Sequence, residues 1–250
     1  MVASSRTFSK QRKAPSGSLE AEAAGLAWLA AAPGGARIAR VLSVAPDVLE
    51  LEELPHAPPT RAAAREFGAA LARTHAAGAA GFGAPPDGWA GPLYLGRQEL
   101  PATAERPSWG PIYAELRVLF YLRRAEQRGH VSPEEARVVR AACARIADGD
   151  FDDDEEPARL HGDLWNGNVL WTPDGVVLID PAASGGHPET DLAMLALFGC
   201  PHLDDILGGY SAEHPLRPGW QDRVPLHQLH PLAVHAASHG ASYAAPLTAA

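Results

Sequence analysis

The sequence is poor in cysteine and lysine and lacks long uncharged apolar runs. Only Cys143 and Cys200 occur among 250 residues, without metal-ligand or disulfide spacing, which favours a reducing compartment. No apolar stretch follows the basic N-terminus as in a signal peptide, and no run is long enough to span a bilayer. We therefore expect a cytoplasmic protein that has no membrane partner.

The charge balance limits the partners further. Thirty Asp and Glu residues outnumber 21 Lys and Arg residues, which gives a formal charge of −9. Because phosphate backbones are bound by clustered Lys and Arg, we expect no nucleic acid as a partner. An acidic block at residues 148–156 predicts a solvated linker. A hydrophobic content of 46% is sufficient for a globular core.

The first third of the chain predicts one helix and a β-hairpin. Leu19, Leu26 and Leu29 recur at helical spacing, and Pro33 ends the pattern, so a helix is expected over 19–32. Glu22 lies on the same inward face and needs a partner, because an unpaired buried carboxylate is costly. Two short β-like runs, 38–44 and 48–53, read as a hairpin.

The rest of the chain predicts helices interrupted by one compact hairpin at 159–180. A capping box of Ser132 and Glu135 with Pro133 marks the clearest helix. The sequence favours two lobes, 1–56 and 57–250. Helices are expected over 61–76, 111–128, 133–147, 189–198, 203–209 and 226–239.

The most informative segment, residues 161–180, reads HGDLWNGNVLW-TPDG-VVLID. If 172–175 form a four-residue turn, antiparallel pairing places Asn168 opposite Ile179. Asn168 and Asp180 then meet at the open end, and Asp163 lies in the loop that enters it. Asp and Asn also commonly cap turns, which is the alternative for each residue taken singly.

Such a group of oxygen-bearing side chains suits phosphoryl transfer. Magnesium prefers oxygen ligands, which Asn168 and Asp180 could supply. Asp163 would orient an acceptor hydroxyl and receive its proton. The order of these residues is also informative. Asp163 is followed by Asn168 after four intervening residues, and Asp180 stands at a strand end. The catalytic loop and metal-binding Asp of the protein-kinase-like fold have the same arrangement.

Two longer segments carry a family resemblance. Residues 161–171, followed by LIDPAA at 178–183 and GGHPETDLAM at 185–194, resemble the fructosamine-kinase (ketosamine-3-kinase) family. The wider aminoglycoside-phosphotransferase-like superfamily shares the His-Gly-Asp and Asn spacing but usually lacks Trp165 and the second segment. The resemblance extends more weakly through 20–29, 66–83 and 225–235.

The resemblance implies a role for each matching residue, with ATP and Mg²⁺ as cofactors. Asp163 matches the catalytic base, and Trp165 matches an aromatic residue on the substrate side. Asp191 would brace the catalytic loop. The implied nucleotide-binding and metal-binding residues are Lys10 for the phosphates, Glu22 as its helix partner, Glu52, Glu53 and Leu54 in the interlobe hinge beside adenine, and Asn168 and Asp180 on magnesium.

The fold implied is α/β, protein-kinase-like and two-lobed. Residues 1–56 would form a truncated, β-rich, nucleotide-binding N-lobe, and 57–250 a mostly helical, catalytic and substrate-binding C-lobe. The implied reaction is ATP-dependent phosphorylation of a sugar hydroxyl on a small-molecule or protein-bound ketosamine, which repairs glycated amines. Two alternatives stay open: phosphorylation of an aminoglycoside, choline-like or other small alcohol, and a nucleotide-binding protein without strong catalysis.

The N-terminal sequence is the reason for considering a nucleotide-binding protein without strong catalysis. Kinase-like N-lobes begin with two strands and a Gly-rich loop that covers the phosphates, which needs roughly 20 residues. Only nine residues precede Lys10, and residues 1–8 contain no glycine. We therefore expect no such loop in this sequence, either because the start of the chain is missing or misassigned or because the protein is a degraded paralogue.

Overall fold

The N-terminal part of the protein is a small antiparallel sheet covered by one helix. The computed structural model describes residues 7–11, 15–105 and 107–250. Strands β1 (Thr7–Gln11), β3 (Val41–Ala45) and β4 (Val48–Glu52) pair in the order β1-β4-β3. Helix α1 (Ser18–Ala30) packs Leu19 and Leu26 against Leu49 and Leu51. Because side chains alternate along a strand, Glu50 and Glu52 face away from this core.

The predicted hairpin of 38–44 and 48–53 is present only in part. Strand β2 (Arg37–Ile38) leaves the N-terminal sheet and pairs in parallel with β9 (Gly175–Leu178). The backbone N–H of Ala39 extends this contact by donating to Leu178 at 3.0 Å. The run is therefore divided between two sheets, because its first residues find an open edge on a strand far along the chain.

The central hairpin has the predicted register. Strand β8 (Val169–Thr172) pairs with β9 so that Trp171 faces Val176 and Thr172 faces Gly175. Two further antiparallel pairs lie nearby: β5 (Leu93–Leu95) with β6 (Gln98–Leu100), and β7 (Ala158–Leu160) with β10 (Ser184–Gly186).

Helices dominate the remainder of the chain. They are α2 (Arg61–Ala76), α3 (Trp109–Ile112), a π-helical segment (Tyr113–Leu119), α4 (Phe120–Gln127), α5 (Pro133–Ala147), α6 (Glu189–Phe198), α7 (Leu203–Glu213), α8 (Trp220–His239) and α9 (Ala244–Ala249). The capping box at α5 is formed as predicted. Helices α7 and α8 are longer than expected, and α8 contains Pro225 and Pro231. Buried residues such as Leu229 and Leu232 keep α8 in the core despite the two lost backbone donors.

Two glycines let α2 and α7 cross with their backbones in contact. A Cβ on Gly68 would lie 1.9 Å from the backbone oxygen of Ile206, and one on Gly209 would lie 2.0 Å from that of Arg65. Any larger residue would force the helices apart. The crossing places Tyr210, next to Gly209, beneath the end of α2.

The acidic block at 148–156 is mostly exposed, as expected, but it also makes contacts within the fold. Asp153 and Glu155 both contact Arg217, at 3.7 and 3.2 Å. Asp152 accepts a hydrogen bond from the backbone of Gly110 at 2.9 Å. Basic and backbone donors distant in sequence thus hold the segment, which composition alone does not reveal.

In the described part of the chain, no helix combines the length and the apolar character that crossing a membrane requires. The division into lobes at residue 56 stays a prediction.

Candidate active site

The β8–β9 hairpin brings three predicted site residues together at its open end. Asn168 Nδ2 donates to the backbone oxygen of Asp163 at 2.7 Å and to Asp163 Oδ2 at 3.1 Å. It also lies 3.5 Å from the backbone oxygen of Asp180. The backbone N–H of Ile179 donates to the backbone oxygen of Asn168 at 3.2 Å. The strand pairing therefore continues to Asn168 and Ile179, as predicted. The roles of the three residues stay predictions.

Glycine is required in the loop before Asp163. Gly162 has a φ of +79°, and a Cβ there would lie 2.2 Å from the backbone oxygen of Ala182. A side chain would meet both backbone strain and a clash. Gly162 thus lets the loop lie close to the segment that follows Asp180.

The same loop is tied to the core through Asp191. The backbone N–H groups of His161 and Gly162 donate to the Asp191 carboxylate at 2.8 and 2.9 Å. His75 Nε2 lies 3.1 Å from it, and His75 Nδ1 lies 2.8 Å from the Tyr210 hydroxyl. Burial by itself raises the pKa of Asp191, but these hydrogen bonds and the nearby imidazoles hold it below the ordinary value. The buried carboxylate therefore stays ionised and fixes the loop backbone.

His161 adds a second constraint within the loop. Its Nδ1 accepts a hydrogen bond from the backbone N–H of Asp163 at 3.2 Å, so the proton sits on Nε2. Nε2 donates to the backbone oxygen of Ile179 at 2.9 Å. Burial lowers the pKa of His161, which keeps the ring neutral and this tautomer in place. His161 therefore binds the backbone at both ring nitrogens.

Asp163 has an environment suited to accepting a proton. Burial raises its pKa to about 6. The hydrogen bond from Asn168 and the charge of Lys10 lower it without cancelling the rise, to which the carboxylates of Asp180 and Asp191 also contribute. A carboxylate with a pKa closer to neutrality is a stronger base than an ordinary aspartate and is still mostly ionised at neutral pH.

Lys10 links the N-terminal sheet to the hairpin end. Its Nζ lies 2.7 and 2.8 Å from the two carboxylate oxygens of Glu22 and 2.8 Å from Asp180 Oδ1. The side chains of Lys10 and Glu22 are only 10% and 9% exposed. The structure thus supplies the partner that the inward-facing Glu22 required.

The backbone of Asp180 is in an unusual conformation. Its φ is +54°, in the left-handed region that non-glycine residues seldom adopt. In this conformation the Asp180 carboxylate contacts Lys10. Strain of this kind persists only where surrounding contacts fix it, and it is concentrated at functional sites.

Two cavities meet at Asp163. The smaller, of about 60 Å³, is lined by polar groups that include Lys10 and Glu22 together with Asp180. The larger, of about 600 Å³, contains Trp165. Asp163 and Gly96 line both cavities. A group held in one cavity can therefore approach a group held in the other at the Asp163 carboxylate.

Rings form one wall of the larger cavity. Trp165, which is 42% exposed, has its ring centroid 6.5 Å from that of Phe198. Phe198 lies 4.9 Å from His235, which lies 4.9 Å from Tyr243. His235 lies on α8, within the helix expected over 226–239, and also lines this cavity. Sequence alone did not identify it because Phe198 and His235 approach through tertiary packing.

The predicted hinge residues are not part of either cavity. Glu52 accepts a hydrogen bond from the backbone N–H of Arg40 at 3.0 Å, and Glu53 is exposed. Among the described residues, neither these two nor Leu54 lines the cavities at Asp163. Their contact with adenine stays a prediction.

The atoms at the hairpin end fit a hard divalent cation. Asn168 Nδ2 donates a hydrogen bond to Asp163, so the side-chain amide oxygen of Asn168 is the atom that can bind a metal. Asp180 places one carboxylate oxygen near Lys10 and has a second. Oxygen donors of this kind suit Mg²⁺ or a similar ion.

A second group of potential metal ligands, His187, Glu189 and His227, is buried elsewhere. Both carboxylate oxygens of Glu189 bind Arg223, at 2.9 and 2.5 Å. The pair of hydrogen bonds satisfies this carboxylate and brings a positive charge next to the group. Glu189 is therefore the partner of Arg223 in an ion pair, and burial lowers the pKa of His227 to about 4.

Sequence reasoning missed the β5–β6 hairpin. Its residues Tyr94 and Arg97 line the smaller and larger cavity respectively, with Gly96 between them lining both. The signal was available, because Gly96 directly follows a short run with leucine at alternate positions, Leu93 and Leu95. The missed His75 lies on α2, and nothing in its local pattern points to Asp191.

The chain matches a known protein family over nearly its whole length. The family model described as fructosamine kinase matches residues 4–249. A probable ketoamine kinase of Enterococcus faecium is 32% identical over 180 residues, which are 72% of this chain and 62% of that protein. The chain thus spans about three fifths of the length of such curated relatives.

Solved structures share the fold. A candidate fructosamine-3-kinase from Thermobifida fusca superposes with a TM-score of 0.90 at 45% identity, covering 98% of this chain and 84% of that one. A macrolide 2'-phosphotransferase from Brachybacterium faecium has a TM-score of 0.59 at 16% identity, covering 98% and 84%, and supports the fold alone. The predicted mixed α/β, protein-kinase-like fold is confirmed. Because the family model covers nearly the whole sequence, the chain belongs to the fructosamine kinase family.

Proposed function

We propose that this protein transfers the γ-phosphoryl group of ATP to a sugar hydroxyl of a ketosamine, the adduct of a sugar with an amine. The acceptor oxygen forms a bond to the γ-phosphorus, and the bond from that phosphorus to the β–γ bridging oxygen breaks. ADP leaves, and the hydroxyl proton passes to the Asp163 carboxylate. Family membership and the geometry around Asp163 support the proposal.

The position of Asp163 between the two cavities carries the proposal. Lys10 and Asp180 give the smaller cavity the charges that a nucleotide phosphate with its cation requires. Trp165 gives the larger cavity an exposed ring on which a sugar can stack. The raised pKa of Asp163 suits a base that takes a proton as phosphoryl transfer proceeds.

Asn168 and Asp180 would hold Mg²⁺, which neutralises phosphate charge when bound. Lys10, fixed by Glu22, would bind phosphate oxygens. Asn168 has a further task, since its Nδ2 contact with Asp163 Oδ2 orients the base towards the acceptor. The hydrogen bonds of Asp191 to the loop backbone keep this arrangement in place before substrate arrives.

For the biological role, we propose repair of glycated amines, free or on proteins. Phosphorylation of the sugar labilises the adduct and releases the amine. Location in the cytoplasm, and the absence of nucleic-acid and membrane partners, stay predictions.

ADP release with MgATP and the fructose adduct of an amine tests the proposal. We expect turnover by the wild-type protein and by Asp174→Asn, which changes an exposed carboxyl at the closed end of the same hairpin. Asp163→Asn should lose turnover by about a thousandfold or more, because the base is removed. Equal rates for Asp163→Asn and Asp174→Asn would remove Asp163 from the mechanism.

A thermal-shift measurement with MgATP and ADP release with other acceptors separate the alternatives. A thermal shift with MgATP but no turnover of any alcohol would favour a nucleotide-binding protein without catalysis. Turnover of an aminoglycoside or choline, but not of ketosamines, would favour the other phosphotransferases.

A further inference from the structure

The larger cavity has an unusual balance of charge. Among the described residues that line it, Asp163 is the only carboxylate and Arg97 the only permanent cation. Since Asp163 would be used on the acceptor hydroxyl, Arg97 is the charged group left to contact the rest of the acceptor. The cavity therefore lacks the acidic side chains that a polycationic acceptor would need.

The hairpin that carries Arg97 is anchored to other parts of the protein. Gly96, with a φ of +61°, and Arg97 form the two-residue turn between Leu95 and Gln98. The hairpin strands are anchored on both sides of the site. The anchors are Tyr94 Oη to the backbone oxygen of Ser16 at 3.1 Å, Tyr121 Oη to that of Glu99 at 2.8 Å, and Gln98 Nε2 to that of Val234 at 3.4 Å.

The positions of Gly96 and Arg97 in the turn show which part of the site Arg97 can contact. Gly96 touches both cavities beside Asp163, whereas Arg97 lines only the larger one. Arg97 is therefore on the side away from the phosphates, where the amine portion of a ketosamine would lie if its sugar contacts Trp165. Arg97 also has a partner within the protein, but a guanidinium carries five donors and can bind a carboxylate as well.

We propose that Arg97 recognises a carboxylate on the amine portion of the acceptor, so that the preferred substrates are ketosamines of amino acids. This inference rests on the proposed function and narrows it. Overall charge disfavours such anions, since the protein carries −9. However, the acidic residues Asp154, Glu155 and Glu156 line a different cavity. A guanidinium forms paired hydrogen bonds with a carboxylate, which gives it selectivity over an uncharged group.

A matched pair of acceptors tests the inference: the fructose adducts of glycine and of methylamine, which differ by one carboxylate. For the wild-type protein we expect kcat/KM to be about tenfold or more higher for the glycine adduct, the value of one charged hydrogen-bonded contact. Arg97→Gln should bring the ratio of the two values close to one, and Arg97→Lys should restore part of it. Arg123→Gln, which removes an exposed arginine of α4, should leave the ratio unchanged.

The outcomes separate the two proposals. If the wild-type protein phosphorylates both adducts with equal kcat/KM, or if Arg97→Gln keeps the wild-type ratio, the inference about Arg97 is wrong and the kinase function stands. If neither adduct is phosphorylated while MgATP binds, the proposed function fails and the inference fails with it.

Discussion

His75 Nε2 lies 3.1 Å from the Asp191 carboxylate, and neither side chain is more than 2% exposed. This contact joins the end of α2 to the residue that holds the backbone of His161 and Gly162. A helix outside both cavities thus helps to position the loop that carries Asp163.

Substitution of His75 should weaken both the fold and the reaction. In His75→Ala, Asp191 keeps only backbone donors, and breaking a buried charged contact costs about 3 kcal/mol. His75→Asn, which can still donate a hydrogen bond, should recover part of the loss. Urea unfolding measures the stability, and Arg123→Ala, at an exposed ion pair, should change it by less than about 1 kcal/mol. A loss in His75→Ala no larger than that of Arg123→Ala would contradict the role given to His75.

Two neighbouring glycines in α7 should respond in opposite directions to alanine. A Cβ at Gly209 would lie 2.0 Å from the backbone oxygen of Arg65, whereas one at Gly208 would have no atom within 4 Å. Gly209→Ala should lower the free energy of unfolding by about 2 kcal/mol or more, because α2 and α7 must separate. Gly208→Ala should raise it by up to about 1 kcal/mol through better helix propensity. Chemical denaturation of both variants checks the contrast, and equal effects would argue against backbone contact between the helices.

The pH dependence of the reaction should report on Asp163. Its pKa is raised to about 6, and the base must be ionised to accept a proton. We therefore expect kcat/KM for the ketosamine to fall as the pH drops through about 6. The fructose adduct of methylamine suits these measurements, because it has no carboxyl group and its amine stays protonated across this range. A profile that stays flat down to the ordinary aspartate pKa of 3.8 would show that Asp163 is not the group that titrates.

Asp163 should also reduce stability at neutral pH. Its folded-state pKa lies above the unfolded value of 3.8, so it destabilises the folded protein increasingly as the pH rises from that value to about 6. Asp163→Asn should therefore be more stable than wild type above about pH 6, by up to about 3 kcal/mol. The difference should vanish on acidification to about pH 4, where the folded wild-type carboxyl is protonated. Unfolding curves at both pH values test this; a variant that is less stable at neutral pH would contradict it.

The parts of the site that local sequence determines could be predicted. A short turn sets the pairing of Trp171 with Val176, and the same register carries Asn168 to Ile179. Helical spacing placed Glu22 on an inward face, where Lys10 meets it.

Other parts depend on contacts between distant segments. The wall of Trp165, Phe198 and His235 forms only when α6 and α8 pack together. Strand β2 leaves its expected hairpin because β9 has an open edge. These contacts are determined by tertiary packing, and local propensity does not predict them.

Transfer of a radiolabelled γ-phosphate from ATP to a ketosamine in a single turnover tests the central claim most directly. Wild type and Asp174→Asn should label the acceptor at similar rates, and calorimetry should show that Asp163→Asn binds MgATP within about threefold of wild type. Asp163→Asn should nevertheless transfer label about a thousandfold more slowly or not at all. Transfer by Asp163→Asn at the wild-type rate would contradict the assignment of Asp163 as the base between the two cavities.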